Sequence, residues 1–463
     1  MQEYYRRLTQ KLFQPVDAAS LGFFRILFGA LMTWQAVYFL QGDRYVHDYL
    51  LPRFHFTYEF FAFVKPVGPE FLKALFWTMA LSGLGIMVGV CYRLFAFLFF
   101  ATFTYAFLLD KAYYNNHYYF ISLIAFWMIL VDAQRWASLS QRFRPRPAYV
   151  PYWNLWILKA QVVIVYFYGG IAKLNGDWLR GDPMRFWLSR LGDLPVVGPW
   201  LLSEWAPYFF SWGGLAYDLT IGFLLWWRKT RWAAFLAVLF FNLSNSVLFT
   251  IGVFPFLMIA AATLFDEPDW PRRFFKFKGA LPKKFAFPVR HGVAAFLGLY
   301  LLVQVAVPLR HWLIAGDVHW TEEGHLFSWR MKLRDKQGIL KITVTDPATG
   351  RSFAVEPLQE INRFQYRKLT QRPQFIHQYA QHLKARFQKE GIADPVITVD
   401  SRVSLNGRPF QTLIDPTVDL AKAPMRFFSH DPWILPLPEN ARPGALGTPG
   451  LAKESDADLE SDR

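Results

Sequence analysis

The stretch Ser20-Leu-Gly-Phe-Phe-Arg-Ile-Leu-Phe-Gly-Ala-Leu-Met-Thr-Trp-Gln-Ala-Val-Tyr-Phe-Leu40 decides the fold. It carries a single charge, Arg25, and has the length, about 20 residues, that a helix needs to cross the hydrocarbon core of a bilayer. It is long for a signal-peptide core and no small-residue cleavage site follows it, so it is expected to remain as a helix. Further apolar runs occupy residues 71–92, 94–110, 118–134, 152–173, 208–227, 232–253, 255–266 and 292–309, the eighth run in the series being short. Backbone groups in lipid must find hydrogen bonds within the protein, which makes such runs helices. The expected architecture for residues 1–310 is a multi-pass all-α transmembrane bundle of about nine helices.

Composition agrees. The chain is 53% hydrophobic and 19% aromatic, with 47 Phe and 19 Trp, rings that suit bilayer interfaces and apolar cavities. A net charge of +15 would suit nucleic acid if it formed one patch, but much of it lies in short loops between apolar runs, so no nucleic-acid partner is expected. With the N-terminus cytoplasmic, the loops on that side hold 18 Lys and Arg against 7 on the other. Nine crossings then carry the C-terminal part outside. Cys91 is the sole cysteine, which excludes an internal disulfide and a multi-thiolate metal site.

Residues 311–437 read as a small extracytoplasmic α+β domain. Ile339–Thr345 and Val396–Ser404 alternate as strands, the second followed by the turn dipeptide Asn406-Gly407. Phe375, Ile376, Tyr379, Leu383 and Phe387 recur at helical spacing between them. Residues 438–463 are rich in Pro, Gly, Ala and charge, and are expected to form a disordered tail.

Ionisable groups inside apolar runs need a reason, which singles out Arg25, Lys159, Lys173 and Asp218. Each is a functional candidate; each could equally snorkel to an interface or pair within the bundle. In Tyr166-Phe-Tyr-Gly-Gly-Ile-Ala-Lys173, Tyr166, Gly170 and Lys173 share a helix face, so the glycine leaves either a gap for a flat ring or a close helix contact. An apolar surrounding favours the neutral amine over the ammonium, which suits Lys173 as a general base. Asn115, Asn116 and His117 open the fourth run on the same side; they serve as a helix cap or as polar groups gripping oxygens and handling a proton. The ten histidines are scattered and no His-Glu-x-x-His, Gly-rich phosphate loop or Gly-x-Ser-x-Gly elbow occurs, so no catalytic metal, nucleotide chemistry or serine hydrolysis is expected.

Leu109-Asp-Lys-x3-Asn115-Asn-His117, Pro151-x-Trp-Asn154, Val165-Tyr-Phe-x-Gly-Gly-x-x-Lys173-Leu-x-x-Asp-Trp178 and Asn245-Ser-x-Leu-Phe-x-Ile-Gly-x-Phe254 occur in order. Glu267-Pro-x-Trp-Pro-Arg272, Phe327-Ser-Trp-x-Met331 and Asp415-Pro-x-Val-Asp419 follow. Together, over roughly residues 15–437, they resemble the vitamin K-dependent γ-glutamyl carboxylase family. The resemblance implies a membrane enzyme that uses reduced vitamin K (the hydroquinone), O2 and CO2. Oxygenation of the hydroquinone to its epoxide yields a strong base, which removes the γ-proton of a peptide glutamate; CO2 then adds.

By the same resemblance Lys173 is the base that deprotonates the hydroquinone, Asn116 orients it, and His117 assists glutamate proton removal. Asn115, Tyr166, Trp329 and Arg330 are assigned to substrate binding, Arg330 as a clamp on the carboxylate unless it is a surface arginine near the bilayer. The implied partners are a glutamate-containing peptide or protein and membrane lipid. Longer members carry a disulfide joining outer domain to bundle, which Cys91 alone cannot form, and a histidine where this chain has Asn242. The short chain and missing disulfide point to a bacterial inner-membrane protein with a periplasmic C-terminal domain. Two other readings stand beside this one: a quinol epoxidase without carboxylase activity, and a non-enzymatic lipid or quinone carrier.

Overall fold

The computed structural model describes residues 2–248, 251–275 and 286–438. The apolar runs form helices α1 (Ala19–Leu40), α2 (Pro69–Val88), α3 (Tyr92–Leu109), α4 (Asn116–Leu130), α5 (Trp153–Ile171), α6 (Ala206–Trp226), α7 (Arg231–Leu248), α8 (Phe254–Ala262) and α9 (His291–Leu309). Among the described residues five are long and apolar enough to cross a membrane, those over Ala19–Tyr49, Pro69–Val88, Tyr92–Leu109, Trp153–Ile171 and His291–Leu313. That is four fewer than the expected nine. At about 1.5 Å per residue, α4 and α8, with 15 and 9 residues, are shorter than a bilayer core.

Small residues bring the first two helices together. A Cβ on Gly29 of α1 would lie 2.4 Å from the backbone nitrogen of Met87, and one on Gly83 of α2 2.8 Å from that of Thr33. This is the close approach through which membrane helices gain dispersion contact. Arg25, fully buried, donates to the carbonyls of Ala133, Ile86, Met87 and Ala137. It closes the C-terminal end of α2, whose following residue Gly89 is left-handed at φ +75°. Its role is therefore structural, satisfying helix-end carbonyls that have no partner in their own helix.

Outside the bundle, β1 (Lys336–Thr345) pairs antiparallel with β2 (Ser352–Val355) and with β3 (Val396–Leu405), which pairs with β4 (Gln411–Thr412), giving the order β2-β1-β3-β4. Asn406 and Gly407 take φ +51° and +74° between β3 and β4, the left-handed pair that a tight turn requires. Helix α10 (Pro373–Lys389) buries Phe375, Ile376, Tyr379, Leu383 and Phe387, the five residues marked by the sequence spacing. This sheet-and-helix core reaches down to the loop between α1 and α2, where Phe56 stacks on Phe375 at 4.5 Å. The expected tail falls, from 439 onward, outside the described residues.

One segment belongs to both bodies. Trp329, distant in sequence from the helices, is fully buried in the bundle core, with Met331 packed against it. Phe327 and Trp329 hold φ +59° and +55°, a conformation costing non-glycine residues about 1–3 kcal/mol each. Burial of Trp329 and the hydrogen bond from the Phe327 N–H to the Tyr114 hydroxyl (2.7 Å) hold the segment there.

Candidate active site

Helix α5 ends at Ile171, and Lys173 follows in the turn with its side chain directed back along the helix. Its ammonium donates to Asp218 Oδ2 of α6 at 2.5 Å and to the Gly169 carbonyl at 3.2 Å, and lies 5.2 Å from the Trp178 ring centroid. Both side chains of the pair are about nine-tenths buried. The free buried amine expected from sequence is therefore a charge-paired one. The glycines have separate uses. A Cβ on Gly170 would meet the Leu219 backbone nitrogen at 2.8 Å, so the opening expected for a flat ring is a helix contact filled by α6. A Cβ on Gly169 would meet Asp218 Oδ2 at 3.2 Å and the Met331 terminal methyl at 3.7 Å, so this glycine makes room for the pair itself.

Met331 links the lysine to the asparagines. Its neighbour Arg330 presents a carbonyl that accepts from Asn116 Nδ2 at 3.0 Å, while Asn116 Oδ1 accepts from the Tyr114 hydroxyl, also at 3.0 Å. Asn116 and the Lys173–Asp218 pair thus flank the same two-residue stretch, and Asn116 positions that stretch. Asn115 caps α4, its Oδ1 accepting from the Tyr118 N–H at 2.8 Å. His117 lies against Tyr118 and Phe254, and neither ring nitrogen has a hydrogen-bond partner among the described residues. Tyr166 is buried, with the Tyr217 hydroxyl 3.4 Å from its own and Asn242 Nδ2 at 3.5 Å. Lys159 stays clear of this group, its ammonium 5.8 Å from the Tyr152 and Phe265 rings at the other end of α5.

Arg330 is buried, which removes the surface-arginine reading. Its guanidinium donates to His311 Nε2 at 3.2 Å and His319 Nε2 at 2.6 Å, while its Nε has no partner among the described residues. A histidine that accepts from arginine at Nε2 carries its proton on Nδ1, and in His319 that atom is buried and unpartnered too. Burial and the Arg330 charge push His319 well below its usual range, so the ring is neutral. Beyond it Glu322 accepts from Arg334 and, at 3.4 Å, from Lys336. Burial would raise the Glu322 carboxyl, but Arg334 and Lys336 outweigh it and hold it at about 2.

Trp329 stacks on Tyr119 with centroids 4.9 Å apart, and its indole N–H is buried without a partner. A hydroquinone presents two oxygens that need such groups. The unpartnered Trp329 N–H, the free nitrogens of His117 and the amine of Lys173 are of the right chemistry, so these residues fit a quinol. No group of three or more His, Cys, Asp or Glu arranged to hold a metal occurs among the described residues.

A further contact ties the outer domain to this end of the bundle. Asp177, just after Lys173, takes two 2.7 Å bonds from the Arg408 guanidinium and one of 2.7 Å from Asn406 Nδ2.

Sequence reasoning flagged Asp218 as a lone carboxylate in an apolar run but did not join it to Lys173. Tyr114 and His311 carried no signal, and Met331 entered only as the end of a motif, because only folding brings residues 311–331 against α4 and α5.

Residues 13–270 match the family model of the HTTM domain, and residues 289–440 that of the vitamin K-dependent gamma-carboxylase lumenal domain. No solved structure matches the chain. The two matches cover the bundle and the outer domain in the order that the sequence motifs imply, and the chain belongs to the vitamin K-dependent γ-glutamyl carboxylase family.

Proposed function

We propose that this protein γ-carboxylates glutamate in a peptide or protein, coupling oxygenation of vitamin K hydroquinone to its epoxide with glutamate deprotonation and addition of CO2. The observation that carries the reading is the buried Lys173–Asp218 pair, held beside the Arg330-Met331 stretch that Asn116 also grips. Reduced vitamin K, when bound, supplies with O2 the base strong enough to take a γ-proton. The residues supply positions and proton traffic. At 2.5 Å the Lys173 proton is within transfer distance of Asp218 Oδ2, and a transfer leaves a neutral amine able to accept a hydroxyl proton at Nζ. The Trp329 N–H and the second amide hydrogen of Asn116 donate to ring oxygen. His117, whose ring lies against Tyr118 and Phe254, relays the glutamate proton through the ring nitrogen that carries no hydrogen. Arg330, through its free Nε and with His319 Nδ1, receives the substrate carboxylate. Burial of Trp329 over the site excludes water that would quench a carbanion.

In this reading the bundle, residues 1–310, spans the membrane from a cytoplasmic N-terminus, and 311–437 form an outer domain. The match to a lumenal-domain model supports that side for the latter. The test is purified protein given vitamin K hydroquinone, labelled bicarbonate and a short glutamate-containing peptide, with label and epoxide measured together. Both products in the native protein and neither in Lys173→Ala support carboxylation. Epoxide alone assigns a quinol epoxidase, and neither product leaves a carrier.

A further inference from the structure

The loop joining α1 to α2 comes down against the end of α3 at Leu109. That end is the outer one, because Asp110 just beyond it accepts from Gln365 of the outer domain at 2.6 Å. The Tyr58 ring lies on Phe107, in the last turn of α3, with centroids 5.5 Å apart. Further along the loop, the Lys65 carbonyl accepts from the Tyr105 hydroxyl at 2.6 Å, and Phe71 in the first turn of α2 sets its ring across the same tyrosine at 5.6 Å. Tyr105 stands one turn inside the end of α3, about 6 Å at 1.5 Å per residue, and helical side chains lean toward the N-terminus, here inward. Residues 58–65 therefore flank the last turn of a helix long enough to span a bilayer, at the depth where hydrocarbon gives way to head groups.

Tyr58 and Val64 are buried and fix this loop to the bundle, whereas Phe60 and Phe63 are 73% and 77% exposed. The outer domain meets the loop at the same level. Phe427 lies across Phe60 with centroids 5.7 Å apart, and beside it Phe428 is 72% exposed. The segment that carries these two rings is held from behind by Glu323, whose carboxylate accepts from the Asp431 N–H at 2.9 Å and bonds His430 Nδ1 at 2.7 Å. Four rings from two distant parts of the chain thus form one patch, with exposed Lys65 and Arg426 at its borders. Exposed apolar patches of this kind mark interaction sites, and apolar rings bordered by cations are the composition that settles at a bilayer surface.

We propose that Phe60, Phe63, Phe427 and Phe428 form an aromatic foot by which the outer domain stands on the phospholipid surface beside α3. This rests on the reading in which the bundle spans the membrane and residues 311–437 lie outside it. The occupant is lipid because two of the rings belong to a loop that flanks the last turn of α3, where lipid is already the neighbour, and Phe427 touches that loop. The foot also bears on recognition of the substrate. Glu323, which holds the segment behind Phe427 and Phe428, follows the turn that carries His319, the partner of Arg330, so contact with lipid steadies that turn.

The test uses the full-length protein with Cys91→Ser, which removes the sole cysteine, in nanodiscs of phosphatidylcholine and phosphatidylglycerol that hold a single copy. One nitroxide label per variant is placed through Phe63→Cys, Phe428→Cys, Leu299→Cys on the exposed middle of α9, or Lys389→Cys at the exposed end of α10. Collision with oxygen against collision with a water-soluble nickel chelate reads the depth of each label. The labels at 63 and 428 are expected about 5–10 Å below the lipid surface, the label at 299 deep in hydrocarbon, and the label at 389 in water. Both foot positions are exposed, so the labels displace no core, and two positions on different parts of the chain guard against a local disturbance. Nickel access at 428 equal to that at 389 overturns the proposal. Shielding at 428 that appears only on adding a glutamate-containing peptide overturns it in favour of a peptide surface, and shielding only in discs holding two copies overturns it in favour of a contact between chains. A label at 299 open to nickel refutes the spanning reading itself, which is a separate failure.

Discussion

The Lys173–Asp218 pair allows the structural and chemical parts of the lysine's role to be separated by measurement. The two groups meet at 2.5 Å with side chains 9% and 8% exposed. Removing one partner of such a pair leaves the other charge buried without compensation, at about 3–5 kcal/mol. Lys173→Ala and Asp218→Asn are therefore each expected to lower unfolding free energy by that amount, whereas the double variant leaves no stranded charge and falls short of their sum by about 2 kcal/mol or more. Lys173→Arg keeps a cation beside Asp218 but cannot release its proton, because guanidinium stays charged at any working pH. It is expected to remain folded while epoxide formation drops by about 10²–10⁴, the usual worth of a positioned proton acceptor. Thermal unfolding in detergent gives the first quantity and product analysis the second. Additivity of the single variants to within about 0.5 kcal/mol would falsify the buried pair. An arginine variant that forms epoxide at the native rate would reduce Lys173 to a structural cation.

Other expectations follow from the outer domain. Arg330→Lys loses the planar fork that faces His311 and His319, so KM for the glutamate peptide is expected to rise roughly tenfold to a hundredfold while epoxide formation continues; a peptide KM that does not move excludes the carboxylate role. Asp177→Ala opens the clamp to Arg408 and Asn406, and amide hydrogen exchange over residues 404–412 should accelerate. The exposed Arg180 shares the same carboxylate, and Arg180→Ala should cost less than about 1 kcal/mol; equal effects of the two changes would show that the clamp holds nothing. Glu322, held at about 2 against an ordinary 4.5, adds stability that is fully present above pH about 4.5 and is lost as pH falls toward 2. The loss amounts to roughly 3 kcal/mol and should be read in pH-dependent unfolding, with Glu322→Gln losing that acid dependence; a variant that keeps it places the titration elsewhere.

Much of the architecture was legible because it obeys short-range rules. The helix ends, the Asn406-Gly407 turn and the buried face of α10 each follow from residues within a few positions of one another. The length of α4 was less so: its run reads to residue 134, but the chain leaves the helix at Val131, just before Asp132, and the carbonyls of Ala133 and Ala137 beyond it reach Arg25. No local pattern encodes that contact across more than a hundred residues.

The same distinction governs the active site. Lys173, Asn116 and His117 stood out because polar groups in apolar sequence are rare, and the same rarity marked Asp218. Their relation did not stand out, since it depends on α5 and α6 packing through Gly170 and Leu219, which sets Asp218 opposite Gly169. The inserted segment around Trp329 is the larger omission. Read locally it belongs to the outer domain, yet its tryptophan is buried in the bundle and its backbone is strained at Phe327 and Trp329. Under the proposed function, a segment that sacrifices backbone ease to place Arg330 and Met331 between Asn116 and Lys173 makes the outer domain part of the catalytic centre. Reaction in the membrane and recognition of a substrate from outside then meet at one covalent stretch, so a change on either side of it is expected to alter both.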